Sequence, residues 1–344
     1  MKAVYIDKPF SVRIKDCEKP RIREDEVLIQ VTGAGICGSD VGIYYGTNAL
    51  VTYPRLIGHE YGGRVVETGA DVRKLKVGEY VAVDPVRSCG TCFACTHGRH
   101  NVCSSLQVTG VHCDGGFSEY VAVKERYCYP VDIQGIDPRY ICLAEPYSIG
   151  VQVNHRGRIS TGDCVLIMGS GPIGLCVMQA AKQRGARVVM TDLVYRRLAR
   201  ALAMGADAAL NAADADYPAR VMALTKEGLG FQVVVDTACT ASSFEQAIEM
   251  AAPAGRVVTL GLISAPSQIA QVDITKKELD VVGSRLSRNR FPEVIQGFQS
   301  GAFTPEALCT DVVPYYEAER AIRRIKEHPD AVCKIILQFD GTER

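Results

Sequence analysis

The rhythm of hydrophobic and polar positions changes about halfway along the chain, and the change divides it. Up to about residue 150, apolar residues fall in short alternating or β-branched runs at 27–31, 63–66 and 80–83, separated by Gly, Pro and Asp. Such runs predict an irregular, mostly β domain. From Cys164 onward, apolar strands at 164–168, 187–190, 233–236 and 256–260 alternate with helical stretches, which predicts a parallel sheet covered on both faces. The helices have readable ends. Residues 172–184 open with Pro172 in the first turn and stop at Gly185, and 194–204 stop at Gly205. After Ser284 the pattern mixes again, with a helix predicted at 290–300 and a closing strand at 334–337. The expected division is therefore 1–150, 151–288 and a C-terminal 289–344 that returns to the first domain. No internal repeat points to a solenoid.

Composition narrows the class. The 344 residues suit two domains at about 150 residues each. Hydrophobic residues make up 47% and charged residues 23%, which marks a folded chain and not a disordered one. Lys plus Arg number 39 and Asp plus Glu number 39, so no global field draws nucleic acid or an acidic membrane. Any binding must come from a local site. No apolar run approaches the ~20 residues of a bilayer span, and charge interrupts the start before a signal-peptide core can form. The cytoplasm is the expected compartment, where 14 cysteines stay reduced and their grouping reads as metal binding or chemistry.

Gly169, Gly171 and Gly174, with Pro172 and Ile173 between the last two, match G-x-G-x-x-G directly after a predicted strand and at the opening of a helix. Gly169 permits the tight turn, Gly171 lets the backbone approach a pyrophosphate, and Gly174 lets the helix pack closely. The helix N-terminus offers amide donors to the phosphates. Asp192 closes the second strand, where its carboxylate suits ribose hydroxyls and repels a 2′-phosphate. That favours NAD over NADP, although Arg196 and Arg197 stand close enough to keep NADP open. The alternative is a plain tight turn, with Asp192 capping the next helix.

Cys89, Cys92, Cys95 and Cys103 form C-x2-C-x2-C-x7-C in a Gly- and Pro-bearing loop. Four thiolates suit a closed, structural zinc site. Disulfides or unlinked thiols are the alternatives. A nucleic-acid zinc ribbon is a poorer match, because no strong basic run flanks the cysteines. A second set is scattered: Cys37, His59 and Glu60, and Glu145. Each alone reads as an ordinary core residue.

With these residues in this order, the sequence resembles the zinc-dependent medium-chain alcohol and polyol dehydrogenases over essentially its whole length. Residues 110–120, 276–279 and 283–285 carry a closer likeness to the sugar-acid group, which includes the starvation-sensing oxidoreductase and L-galactonate dehydrogenase. The resemblance implies an α/β architecture: a GroES-like, mostly β catalytic domain joined to a doubly wound Rossmann domain, with the active site between them. It implies two Zn2+ per chain. Cys37, His59 and Glu60 would hold the catalytic ion, with Glu145 as a fourth ligand or one exchanging with water or substrate. Ser39 would be the first proton acceptor, with Asp40 and Arg285 as supporting groups. A homodimer or homotetramer is expected, with residues 280–283 as a candidate edge.

A zinc ion lowers the pKa of an alcohol so that hydride can leave for the nicotinamide. Relatives commonly pass the proton onward through a histidine where this chain has Gly42. Tyr44, Tyr45, a cofactor ribose hydroxyl or water could take over, and a pH optimum shifted upward is expected. The polar character of Glu60 and the Ser39 region suggests a polyhydroxylated substrate. Arg87, Arg285, Arg288 and Arg290 are candidates to hold a sugar-acid carboxylate. Polyol or L-threonine oxidation is the enzymatic alternative. A cofactor-binding regulatory protein is the non-enzymatic one, since a fold alone does not establish turnover.

Overall fold

The strand Glu26–Gly35 organises the first of two units. The computed structural model describes residues 1–339. The first unit comprises Met1–Pro146 and Ser287–Arg344, and the second is Tyr147–Leu286. Glu26–Gly35 pairs antiparallel with Glu60–Thr68, with Tyr120–Lys124 and with Lys334–Gln338. Cys309–Pro314 then adds in parallel beyond Lys334–Gln338. The predicted closing strand therefore lies inside this sheet. Its register sets Ile336 opposite Gly35, which in turn faces Glu60. Gly35 must lack a side chain there, because a Cβ would stand 2.2 Å from Glu60 Oε2.

The second unit is a six-stranded parallel sheet. In chain order its strands are β1 (Cys164–Met168), β2 (Arg187–Asp192), β3 (Ala208–Asn211), β4 (Phe231–Asp236), β5 (Ala251–Thr259) and β6 (Asp280–Gly283). Their spatial order, β3-β2-β1-β4-β5-β6, is the doubly wound Rossmann order. Strands covered on both faces need near-continuous apolar residues. Val165, Leu166 and Ile167 of β1 and Val233, Val234 and Val235 of β4 are accordingly all fully buried. The order reverses between β1 and β4, which is where such sheets take their ligands. The helix Pro172–Gln183 follows β1, and Gly185 turns at φ +77° just past its end. The helices expected at 194–204 and 290–300 appear as Tyr195–Ala203 and Phe291–Gln299, within the usual one-residue fraying of helix ends.

Candidate active site and metal centres

Four thiols converge in the loop of the first unit. The Sγ atoms of Cys89, Cys92, Cys95 and Cys103 all lie within 4.8 Å of one another. Cys89 to Cys103 is 3.4 Å, Cys92 to Cys103 is 3.8 Å and Cys89 to Cys95 is 4.0 Å. A disulfide needs about 2.05 Å, so these sulfurs are unbonded. A tetrahedron with Zn–S bonds of about 2.3 Å has edges of about 3.8 Å, which the array matches. Backbone amides favour the anionic sulfurs: Cys89 and Ser105 each donate to Cys103 Sγ at 3.3 Å, and Cys92 donates to Cys89 Sγ at 3.4 Å. Such donors hold the Cys89 thiol down at about 7 and the Cys92 thiol at about 5. Burial and the neighbouring thiols push Cys95 up to about 11. A cation would displace that retained proton.

The scattered set also converges. Cys37 precedes the helix Gly38–Tyr44 in extended conformation, and His59 and Glu60 lie where the strand Glu60–Thr68 begins. One ligand atom each from Cys37, His59 and Glu60 lies within 4.8 Å of the other two. Sulfur, nitrogen and oxygen donors of this kind suit a catalytic zinc with an open position. Asp40 is fully buried; one of its oxygens accepts from the Cys37 amide at 2.9 Å, and the other faces His59 Nδ1 at 3.8 Å. Asp40 Oδ1, His59 Nδ1 and Ser39 Oγ have no hydrogen-bond partner despite burial. Orphaned buried polar atoms carry a substantial cost, so this cluster fits a site completed by a ligand. Burial lowers the His59 pKa, but the charges of Cys37 and Asp40 raise it further, and the net shift is well upward. A metal ion would take that proton's place.

Glu145, expected as a fourth or exchanging ligand, is buried at the start of the helix Ala144–Arg156, and its charge is felt at His59. Burial and the Glu60 charge push it up to about 7, against the pull of His59. Glu60 offers nothing to a polyhydroxylated substrate, because it is 1% exposed and both its oxygens accept from Lys334 Nζ, at 2.7 and 2.8 Å. Lys334 was legible only as the head of an apolar strand. Its charge there was the available signal, since a lysine is almost never fully buried unpaired. Burial pulls its ammonium pKa down, but Glu60 and Cys37 push it up by more.

The candidate cations and proton carriers are also placed. Arg87 donates to the Asp84 carbonyl at 2.5 Å and lies over the Tyr127 ring, and Arg288 donates to the Gly98 carbonyl at 2.7 Å. Both therefore brace the thiol loop and its flank. Tyr44 donates to Glu319 at 2.8 Å, and burial together with that bond pushes its hydroxyl up to about 12. That bond commits the Tyr44 proton to Glu319.

In the second unit, Gly169 turns at φ +101° immediately after β1. A Cβ on Gly174 would lie 2.0 Å from the Gly169 carbonyl oxygen, so the turn's own backbone demands that glycine. A Cβ on Gly171 would meet nothing within 4 Å, which leaves open space at the helix N-terminus where Pro172, Ile173 and their neighbours begin. Thr237, which the sequence reading missed, donates to the carbonyls of Met168 and Gly169 at 2.8 and 3.0 Å and fastens the turn to the end of β4. Asp192 accepts from the amides of Ser170 and Val194 at 2.8 and 3.0 Å, with Arg197 at 3.6 Å. It thus partly serves the local turn, as the simpler alternative had it. A carboxylate has about four lone-pair positions, so capacity remains for a ribose.

Residues 23–133 match the alcohol dehydrogenase GroES-like domain family, and residues 172–300 match the zinc-binding dehydrogenase family. The chain belongs to the zinc-type medium-chain alcohol dehydrogenases and is an oxidoreductase. It is 39% identical to the starvation-sensing protein RspB of Escherichia coli K12 over 341 residues, covering 98% of this chain and 99% of that one. It is 33% identical to the L-galactonate-5-dehydrogenase of the same organism, at 98% and 99% coverage. A crystal structure of the RspB alcohol dehydrogenase from E. coli CFT073, complexed with NADH, matches with a TM-score of 0.92 at 38% identity, covering 98% of this chain and 99% of that one. No described helix is long and apolar enough to cross a membrane.

Proposed function

We propose that the chain oxidises a secondary alcohol of a sugar acid, such as galactonate or mannonate, with NAD as hydride acceptor. The observation that carries this reading is the gathering of Cys37, His59 and Glu60 within 4.8 Å, beside the unpartnered Ser39 hydroxyl. Full-length similarity to an L-galactonate dehydrogenase supports the substrate class. In this reading Cys37, His59 and Glu60 hold a catalytic zinc, and Cys89, Cys92, Cys95 and Cys103 hold a structural one. When bound, zinc supplies Lewis acidity toward the substrate oxygen, and NAD accepts the hydride.

The chain's own residues do the rest. Ser39 accepts the substrate proton first. Asp40 orients the His59 ring, as carboxylates beside metal-binding histidines do. Glu145 remains a candidate to exchange into the coordination sphere, and its carboxyl takes up a proton near neutrality. Gly169, Gly171 and Gly174 with the Pro172–Gln183 helix hold the pyrophosphate, and Asp192 with Arg197 meets the ribose. The exposed edge of β6 is the seam we assign to a homodimer or homotetramer.

One observation favours the polyol alternative: two of the candidate carboxylate-binding cations, Arg87 and Arg288, donate to backbone carbonyls of the thiol loop and its flank. Assay of a panel of aldonates and matching polyols, with and without a chelator, separates the readings. Efficient, chelator-sensitive turnover of an aldonate is expected. Equal turnover of the uncharged polyol would remove the sugar-acid assignment, and turnover that survives metal removal would remove the zinc mechanism.

A further inference from the structure

We propose that Lys334 and the catalytic metal share Glu60, so that the ammonium is a built-in counter-cation that weakens this one ligand and sets how tightly the metal is held. The inference deepens the reading above and rests on it.

The argument starts from hydrogen-bond capacity. An ammonium has three donors, and Lys334 uses them on Glu60 Oε1 at 2.7 Å, Glu60 Oε2 at 2.8 Å and the Ile36 carbonyl at 3.1 Å. Ile36 directly precedes Cys37, and Glu60 directly follows His59. One buried charge therefore ties together both segments that carry the ligands. Stability alone does not account for it, since a buried ion pair is often no better than well-packed apolar residues.

Charge does account for it. Cys37, Glu60, Asp40 and Glu145 are acidic groups that interact electrostatically within this cluster. Lys334 is 3% exposed and offsets one of them whether or not an ion is present. With a divalent cation bound, two positive centres flank the same carboxylate. Glu60 has lone pairs for both, but an oxygen already donating density to an ammonium is a poorer metal ligand. The arrangement leaves Glu60 half-committed to the ion. Register builds it: Ile336 lies opposite Gly35 and Gly35 opposite Glu60, and Gly35 lacks the Cβ that would push the carboxylate aside.

The test compares Lys334→Met, which removes the charge, with Lys334→Arg, which keeps it. Each is made in the unmodified chain and in a Glu60→Gln background. Metal affinity is read by chelator competition, and coordination by the visible absorption of the cobalt-substituted protein. Lys334→Met is expected to bind the catalytic ion about tenfold more tightly, equivalent to about 1.4 kcal/mol, and to shift the cobalt bands. Lys334→Arg should behave as the parent. The tightening should vanish in the Glu60→Gln background, as expected if the two residues act as one unit. If the methionine variant does not fold, Lys334→Gln is read by the same criteria. Unchanged or weaker affinity, or tightening that persists without the Glu60 charge, would overturn the inference. Uptake of a single ion per chain, held by the four cysteines, would overturn the underlying reading as well. Two ions with an unmoved affinity would overturn this inference alone.

Discussion

The two ligand sets of the first unit are built in opposite ways. Cys89, Cys92, Cys95 and Cys103 come from one short loop, range from exposed to buried, and take their amide donors from the same stretch. Cys37 and the adjacent pair His59 and Glu60 come from two separate segments, and their supporting ammonium lies 274 residues from Glu60. The first array needs only a local turn to form. The second exists only once the sheet has chosen its register. The loop set is chemically uniform and would close a tetrahedron, whereas the sheet set mixes sulfur, nitrogen and oxygen and, in the proposed reading, would leave a coordination position open. Local, uniform ligation braces a structure; distributed, mixed ligation leaves room for chemistry.

The comparison can be broken most directly at its two poles. His59→Ala should cost turnover about 10³-fold, since a Lewis-acidic ion contributes several kcal/mol to the transition state. The zinc held by the thiol loop should remain, so metal content falls from two per chain to one. Cys103→Ala should have the reverse emphasis. It removes a buried sulfur that accepts two backbone amides, and thermal unfolding should reveal a loss on the order of 4 kcal/mol as the loop releases its ion. If both variants lose turnover and stability alike, the division between bracing and chemistry fails.

A smaller effect sharpens the chemical pole. Asp40→Asn keeps an acceptor for the Cys37 amide but removes the charge facing His59, and metal affinity or activity should fall about 10- to 100-fold. An effect within twofold would mean that the 3.8 Å approach carries no orienting role.

The smallest effect belongs to the flank of the thiol loop. Burial pushes the Asp84 carboxyl up to about 6, against the hydrogen bond from Val86 and the charge of Arg87. An acid whose folded pKa is raised binds its proton more readily when folded. Its contribution is therefore most favourable at low pH and is lost as pH rises from about 3.8 to about 6. Asp84→Asn keeps the acceptor for Val86 and should flatten that part of the stability profile. An unchanged slope would assign it to other groups.

The same contrast explains what could be read from the sequence. The four cysteines, the glycine turn and the parallel strands were legible because each is a local pattern tied to a local geometry. The strand ends at Met168 and Asp192 and the helix start at Pro172 follow from that periodicity. Lys334 and Thr237 were not legible as partners, because their roles depend on which strands become neighbours. Glu60 was misread as a polar surface for substrate. Nothing in its own segment signals an ammonium arriving from the far end of the chain. Arg87 and Arg288 show a related ambiguity: a guanidinium near a loop in sequence can serve that loop's carbonyls as readily as a ligand.

The central claim is that each of these two chemically different ligand sets holds its own zinc ion. Anomalous diffraction at the zinc edge from crystals of the metal-loaded protein tests it most directly. Two peaks per chain are expected, one about 2.3 Å from each of the four cysteine sulfurs and one within about 2.0–2.3 Å of Cys37, His59 and a Glu60 oxygen. A lone peak in the cysteine loop, with Cys37 and His59 bare at saturating zinc, would contradict the account.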